Sequence, residues 1–232
     1  MPEMDITQRI DNIRRRMADA ARAAQRSPET VQLVCVSKTV AADRIRKAAT
    51  AGATVLGENY VQEARDKIDA LADLELSWHF IGHLQTNKAK YVVRLFDLIH
   101  SVDSMRLANE LNKQAAKVPK VQRVLVQVNV AGEASKSGVD TDEAAALVAH
   151  IDGLEHVTCE GLMTMPPYFD QPERVRPFFR QLYRLRRAIN AKRDTNRQLC
   201  ELSMGMTGDF EAAIAEGATL VRVGTAIFGE RQ

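Results

Sequence analysis

No run of about 18 apolar residues occurs in this 232-residue chain, so a membrane span is not expected. An excess of one charge is missing too: 32 Lys and Arg face 30 Asp and Glu, a net charge of +2. That balance gives neither nucleic acid nor a membrane surface a field to follow. Cysteine is scarce. Cys35, Cys159 and Cys200 are odd in number and widely spaced, which argues against a disulfide framework or a metal site. Each lies in an apolar, strand-like run, so reduced and buried thiols in the cytoplasm are expected. The first residues carry Glu3, Asp5 and Asp11 and no apolar segment, unlike a signal or transit peptide. No Gly-x-Gly-x-x-Gly follows the first strand-like run, which argues against a dinucleotide-binding fold. No Pro/Gly/Ser-rich linker or internal repeat divides the chain, so residues 1–232 are read as one domain.

What is present is alternation. Ile6, Ile10, Ile13, Met17, Ala20 and Ala24 recur at spacings of three and four and predict an amphipathic first helix. Asp5 with Gln8 makes a capping-box pair at its start, and Ser27-Pro28 is read as its end. Arg14-Arg15-Arg16 is read as its solvated face. An apolar strand, Leu33-Val34-Cys35-Val36-Ser37, follows. Further strand-like runs occupy 54–56, 78–81, 98–102, 124–130, 157–165, 199–203 and 220–223, with helical patterns between them. Gly52 is predicted to stop the second helix, Ser104 to cap another, and Asp140 with Glu143 to form a second capping box. Strands alternating with helices pair in parallel through right-handed crossovers. Eight such strands predict a closed (β/α)8 TIM barrel, an α/β fold whose extra N-terminal helix takes the place of a helix after strand eight. The rival is an open doubly wound sheet.

Function in such a barrel gathers at the carboxyl ends of the strands. The first strand ends on Lys38, and taken alone a strand-ending lysine is more often simply solvated. Two other ends are more specific. Ser203-Met204-Gly205-Met206-Thr207-Gly208-Asp209 runs from strand seven into a helix, where small residues leave backbone amides open to an anion. Gly224-Thr225 offers a second set after strand eight, although both stretches also read as tight turns. Phosphate in these barrels is frequently held by the loops after strands seven and eight. Closure brings strand one beside strand eight, so Lys38 would share a rim with that cradle. An amine beside a phosphate site suits a phosphorylated aldehyde such as pyridoxal phosphate, because lysine forms the Schiff base. Arg222 and Gly224 share a face by strand alternation. A lumenal arginine is costly unless paired, so a ring nitrogen or a carboxylate is expected to meet it.

Seven segments then carry a family resemblance: LVCVSKTV (33–40), GENYVQE (57–63), WHFIGHLQTNK (78–88), IHSVDS (99–104), GLMTMPP (161–167), LSMGMTGDFEAAI (202–214) and VRVGTAIFG (221–229). As an ordered set spanning nearly the whole chain, they resemble the pyridoxal-phosphate homeostasis protein family, which has the fold of the alanine racemase N-terminal domain. Thr207-Gly208 is where relatives often carry Ser and another small or acidic residue. The resemblance implies a fold-type III pyridoxal-phosphate barrel with the cofactor on Lys38. It implies phosphate contacts from Ser203, Gly205, Gly224 and Thr225, and Arg222 facing the pyridine nitrogen. Asn59 and His83 match pocket-lining positions, whereas His79 is read as a packed strand residue.

Two functions follow from that resemblance. The first is a non-catalytic protein that buffers or delivers pyridoxal 5′-phosphate, with PLP-dependent apo-enzymes as partners, no catalytic residue and effects on amino-acid metabolism. The alternative is a PLP-dependent amino-acid racemase of low activity. Alanine racemases add a C-terminal β domain whose tyrosine acts at the partner subunit's site. This chain stops at Gln232, so the carrier, as a monomer, is the expectation. Tyr60 is placed at the start of a helix, Tyr91 and Tyr183 on helices, and Tyr168 in a loop within reach of the rim, none positioned as a second base.

Overall fold

The computed structural model describes residues 5–133, 137–167 and 169–230. The first half runs α1 (Ile6–Ala23), β1 (Gln32–Val36), α2 (Ala42–Thr50), β2 (Val55–Glu58), α3 (Val61–Ala70), β3 (Ser77–Phe80), α4 (Ala89–Leu95) and β4 (Leu98–Val102). The second runs α5 (Met105–Ala115), β5 (Gln122–Gln127), α6 (Ala144–Asp152), β6 (Val157–Met163), α7 (Arg176–Asn190), β7 (Glu201–Ser203), α8 (Phe210–Ala215), β8 (Leu220–Val223) and α9 (Thr225–Phe228). The strands close into a parallel barrel in chain order. Closure rests on β1 against β8, in register from Gln32 opposite Leu220 to Cys35 opposite Val223. This is the predicted TIM barrel, and the open sheet is excluded.

Two apolar layers hold it. The larger, with Ile10, Ile45, Phe80, Phe96, Phe179 and Phe210, lies between strands and helices. A second, separate cluster of Val34, Val55, Leu98, Leu125, Met163 and Leu220 fills the lumen. Burial of each such aliphatic side chain contributes about 1.5–3 kcal/mol. Two residues further along, on the same strand face, stand Gly57, His100, Gln127 and Arg222. The lumen is therefore apolar at its floor and polar towards the carboxyl ends.

The first helix begins as predicted: Gln8 N–H donates to Asp5 Oδ1 at 2.8 Å, and Asp5 N–H donates back to Gln8 Oε1 at 3.2 Å. It packs against α2, α8 and α9, filling the ring position after β8. Gly52 (φ +88°) stops α2, and Ser104 Oγ accepts from Leu107 N–H at the start of α5. Four expectations need correction. The first helix ends at Ala23, because Gln25 adopts φ +56° and Arg26 N–H reaches back to the Ala21 carbonyl; Ser27-Pro28 opens a short 3-10 turn instead. Arg14 and Arg15 are exposed, as expected, but Arg14 and Arg16 are also fastened. Arg14 donates to the carbonyls of Ala51 and Gly52, and Arg16 pairs with Glu211, so they tie α1 to its neighbours. Asp140 and Glu143 form a backbone turn, and α6 starts only at Ala144 without a side-chain cap. Cys200 is exposed because it precedes β7, while Cys35 and Cys159 are buried.

Candidate functional site

Arg222 is buried in the lumen on β8, as alternation with Leu220 requires. One guanidinium nitrogen donates to Ser203 Oγ at 2.5 Å and the other to the Thr164 carbonyl at 2.9 Å. No carboxylate pairs with it among the described residues, so the expected carboxylate partner is not the one the fold supplies. Burial lowers its pKa to about 10, partly offset by Asp209, and the side chain remains a cation at neutral pH. Five donors fan out from a guanidinium, and two are directed at protein oxygens.

Behind Ser203 lies a line of buried rings. His100 Nδ1 is 2.8 Å from Ser203 Oγ, and His100 Nε2 is 3.0 Å from His79 Nδ1. Burial holds His79 down at about 4, and burial with the neighbouring His79 and Arg222 holds His100 well below the ordinary range. Both rings are neutral at physiological pH. His79 is packed, as its apolar strand suggests, but it also terminates a polar chain that runs through His100 and Ser203 to Arg222. Sequence context marks neither histidine as a site residue. The available signal was phase: His100 sits two residues beyond the lumenal Leu98.

The loops after β7 and β8 meet beside this chain. Thr225 Oγ1 donates to Thr207 Oγ1 at 3.2 Å, and Thr225 is exposed at the start of α9. Gly205 has φ +89°, and a Cβ there would stand 2.5 Å from Ala213 Cβ. A Cβ on Gly224 would stand 3.3 Å from the Val36 carbonyl oxygen, so β8 runs close to the end of β1. Lys38 lies just past that end, half-buried. Ser37 N–H donates to the Gly57 carbonyl at 3.0 Å, extending the β1–β2 ladder to the residue before the lysine. Cation, glycine loops and lysine thus share one end of β1 and β8, and this donor set suits a phosphorylated, planar, nitrogen-bearing ligand.

The other expected residues are placed more loosely. Asn59 is half-buried after β2, and its Oδ1 is buried with no hydrogen-bond partner among the described residues. His83 is exposed and lines a cleft of about 440 Å³ with Gln85, Asp103 and Arg106. It shares no hydrogen bond with the lumenal chain among the described residues. Tyr91 and Tyr183 lie on α4 and α7, Tyr60 stands exposed at the start of α3, and Tyr168 falls outside the described residues.

Comparison with known proteins bears on this geometry. Residues 9–232 match the family model for the alanine racemase N-terminal domain. The chain is 47% identical over 229 residues to the pyridoxal phosphate homeostasis protein of Aquifex aeolicus, covering 99% of this chain and 100% of that one. It is 41% identical to the Escherichia coli K12 protein of the same name, covering 98% and 97%. The chain belongs to the pyridoxal phosphate homeostasis protein family. Among solved structures, PipY of Synechococcus elongatus with PLP bound superimposes with a TM-score of 0.84 at 36% identity, covering 97% of this chain and 100% of PipY. Alanine racemase of Clostridium difficile shares the fold, with a TM-score of 0.68 at 15% identity over 94% of this chain and 56% of that one. In this homeostasis-family member the glycine loops after β7 and β8 and the lumenal Arg222 lie at one end of the barrel.

Proposed function

We propose that this protein binds pyridoxal 5′-phosphate at the carboxyl ends of β1, β7 and β8 and holds it without turnover, releasing it to apo-enzymes that need it. The observation that carries the reading is Arg222, a buried cation with no carboxylate partner among the described residues, set beside the glycine loops and the strand that delivers Lys38. A PLP-bound relative at 36% identity supports it.

In this reading Gly205, Gly224 and Thr225 receive the phosphate, and Arg222 faces the ring nitrogen. Ser203, expected at the phosphate, has its hydroxyl engaged by Arg222 and His100 and braces that arginine instead. Lys38 Nζ condenses with the aldehyde and water leaves, so the ligand is held covalently. Asn59 and His83 line the approach. Residues 1–232 act as one domain. When bound, the cofactor supplies an electron sink for groups attached at its aldehyde carbon. A fixed cation at the ring nitrogen opposes its protonation and weakens that sink. His79 and His100 are neutral and bonded to each other beneath Arg222, where they orient the arginine rather than exchange protons with a substrate.

The test is a PLP titration followed by visible absorption, borohydride reduction with peptide mapping, and chiral assay of several amino acids. A coloured protein labelled at Lys38 with no turnover is expected. Racemisation that disappears in Lys38→Ala would make the protein an enzyme, and a protein that takes up no cofactor would remove both readings.

A further inference from the structure

A second lysine, this one buried, stands close to Lys38. Lys67 lies on α3 with its side chain 8% exposed. Its three ammonium donors have three acceptors: the Ser37 carbonyl at 2.5 Å, Glu58 Oε1 at 2.7 Å and Glu63 Oε1 at 2.6 Å. Glu58 Oε1 also accepts from Ser37 Oγ at 2.6 Å. Glu63 Oε1 in turn accepts the backbone N–H of Thr39.

Those two backbone groups are the ones that flank Lys38. The Ser37 carbonyl belongs to the peptide bond before it, and the Thr39 N–H to the peptide bond after it. Between them the chain turns sharply, with Val40 N–H closing on the Ser37 carbonyl at 3.0 Å. Thr39, third in that turn, has φ +64°. Glycine is the usual residue at a left-handed third position, and a β-branched side chain there is an outlier held only by its surroundings. Here the surroundings are Glu63 and Lys67, one helical turn apart on α3 and paired with each other.

We infer that Lys67 and Glu63, with Glu58 behind them, form a clamp that positions Lys38 by gripping the peptide groups on both sides of it. The inference rests on Lys38 being the attachment point proposed above. Stability alone is a poor account of the cluster, because apolar groups of similar volume replace buried ion pairs at little cost or with a gain. Positioning is what such a cluster adds: an attacking amine must be held to within about 0.5 Å of its productive geometry. Lys67 has its three donors directed at oxygens, which makes it a support.

The test compares two ligands on the full chain, PLP and pyridoxine 5′-phosphate, which lacks the aldehyde. Lys67→Met and Glu63→Ala are each expected to weaken PLP binding about tenfold or more, and to slow borohydride-trapped labelling of Lys38. Binding of pyridoxine 5′-phosphate is expected to stay within twofold of wild type, since the proposed phosphate contacts lie in the loops after β7 and β8 and the ring contact, Arg222, on β8. Glu63→Gln, which keeps an acceptor for Thr39 N–H, should recover part of the loss. An equal drop for both ligands would reduce the cluster to a structural brace and overturn the inference, as would PLP binding unchanged in Glu63→Ala. Lys38→Ala separates the two readings. If it still traps PLP at wild-type level, the attachment proposal itself is wrong; if it does not and the clamp variants behave as wild type, only the clamp is wrong.

Discussion

Ser203 Oγ sits between Arg222, which donates to it at 2.5 Å, and His100 Nδ1, 2.8 Å away. One hydroxyl therefore couples the arginine of β8 to the histidine of β4 across the barrel. With the oxygen accepting from the guanidinium, its proton is free to bond the imidazole, and no group in the pair is left unsatisfied.

Arg222 is expected to depend on its fork as well as its charge. Arg222→Gln should weaken PLP binding by about tenfold or more, the scale of one lost hydrogen bond involving a charged group. Arg222→Lys should not restore it, because a point charge cannot reach Ser203, the Thr164 carbonyl and the ligand together. Titration of both purified variants measures this, and wild-type affinity in either would remove Arg222 from the pocket.

Acid is expected to undo the line of rings. The folded pKa of His79, about 4, lies below its ordinary 6.5, so the fold binds fewer protons there than the unfolded chain. The stability linked to the neutral ring is fully present above pH 6.5 and is lost as pH falls towards 4. The difference corresponds to about 3 kcal/mol for this ring, and His100, shifted in the same direction, adds to it. Urea denaturation at pH 7.5 and 4.5 should show the wild type losing more stability than His79→Gln. Equal losses in the two proteins would mean the ring is not the group that titrates.

Gly205 is expected to tolerate no side chain. Alanine there would combine φ +89° with a Cβ 2.5 Å from Ala213 Cβ on α8. A loss of roughly 3 kcal/mol follows from left-handed strain and overpacking together. The chemical-denaturation midpoint should fall accordingly, and PLP affinity should fall with it as the loop after β7 shifts. A variant of wild-type stability would show that the loop relaxes freely.

The barrel was readable because its signals are local. Apolar runs at Leu33–Val36 and Val124–Val128, and three-four spacing from Ile6 to Met17, depend only on neighbours close along the chain. Where a local signal was ambiguous, the expectation slipped. Gln25 ends the first helix in a conformation that its residue type does not announce, and Cys200 looks buried until β7 is seen to start one residue later.

The sequence by itself determined the order of elements and predicted the closed barrel, with Lys38, Gly205, Arg222, Gly224 and Thr225 towards the carboxyl ends of its strands. Only the tertiary structure decided which polar groups touch. His79, His100, Ser203 and Arg222 come from four different strands, and Lys67 reaches Ser37 from 30 residues away. Such contacts exist only after the barrel closes, when a buried polar group must bond whatever stands within about 3 Å of it. Spacing along a chain carries no record of that choice.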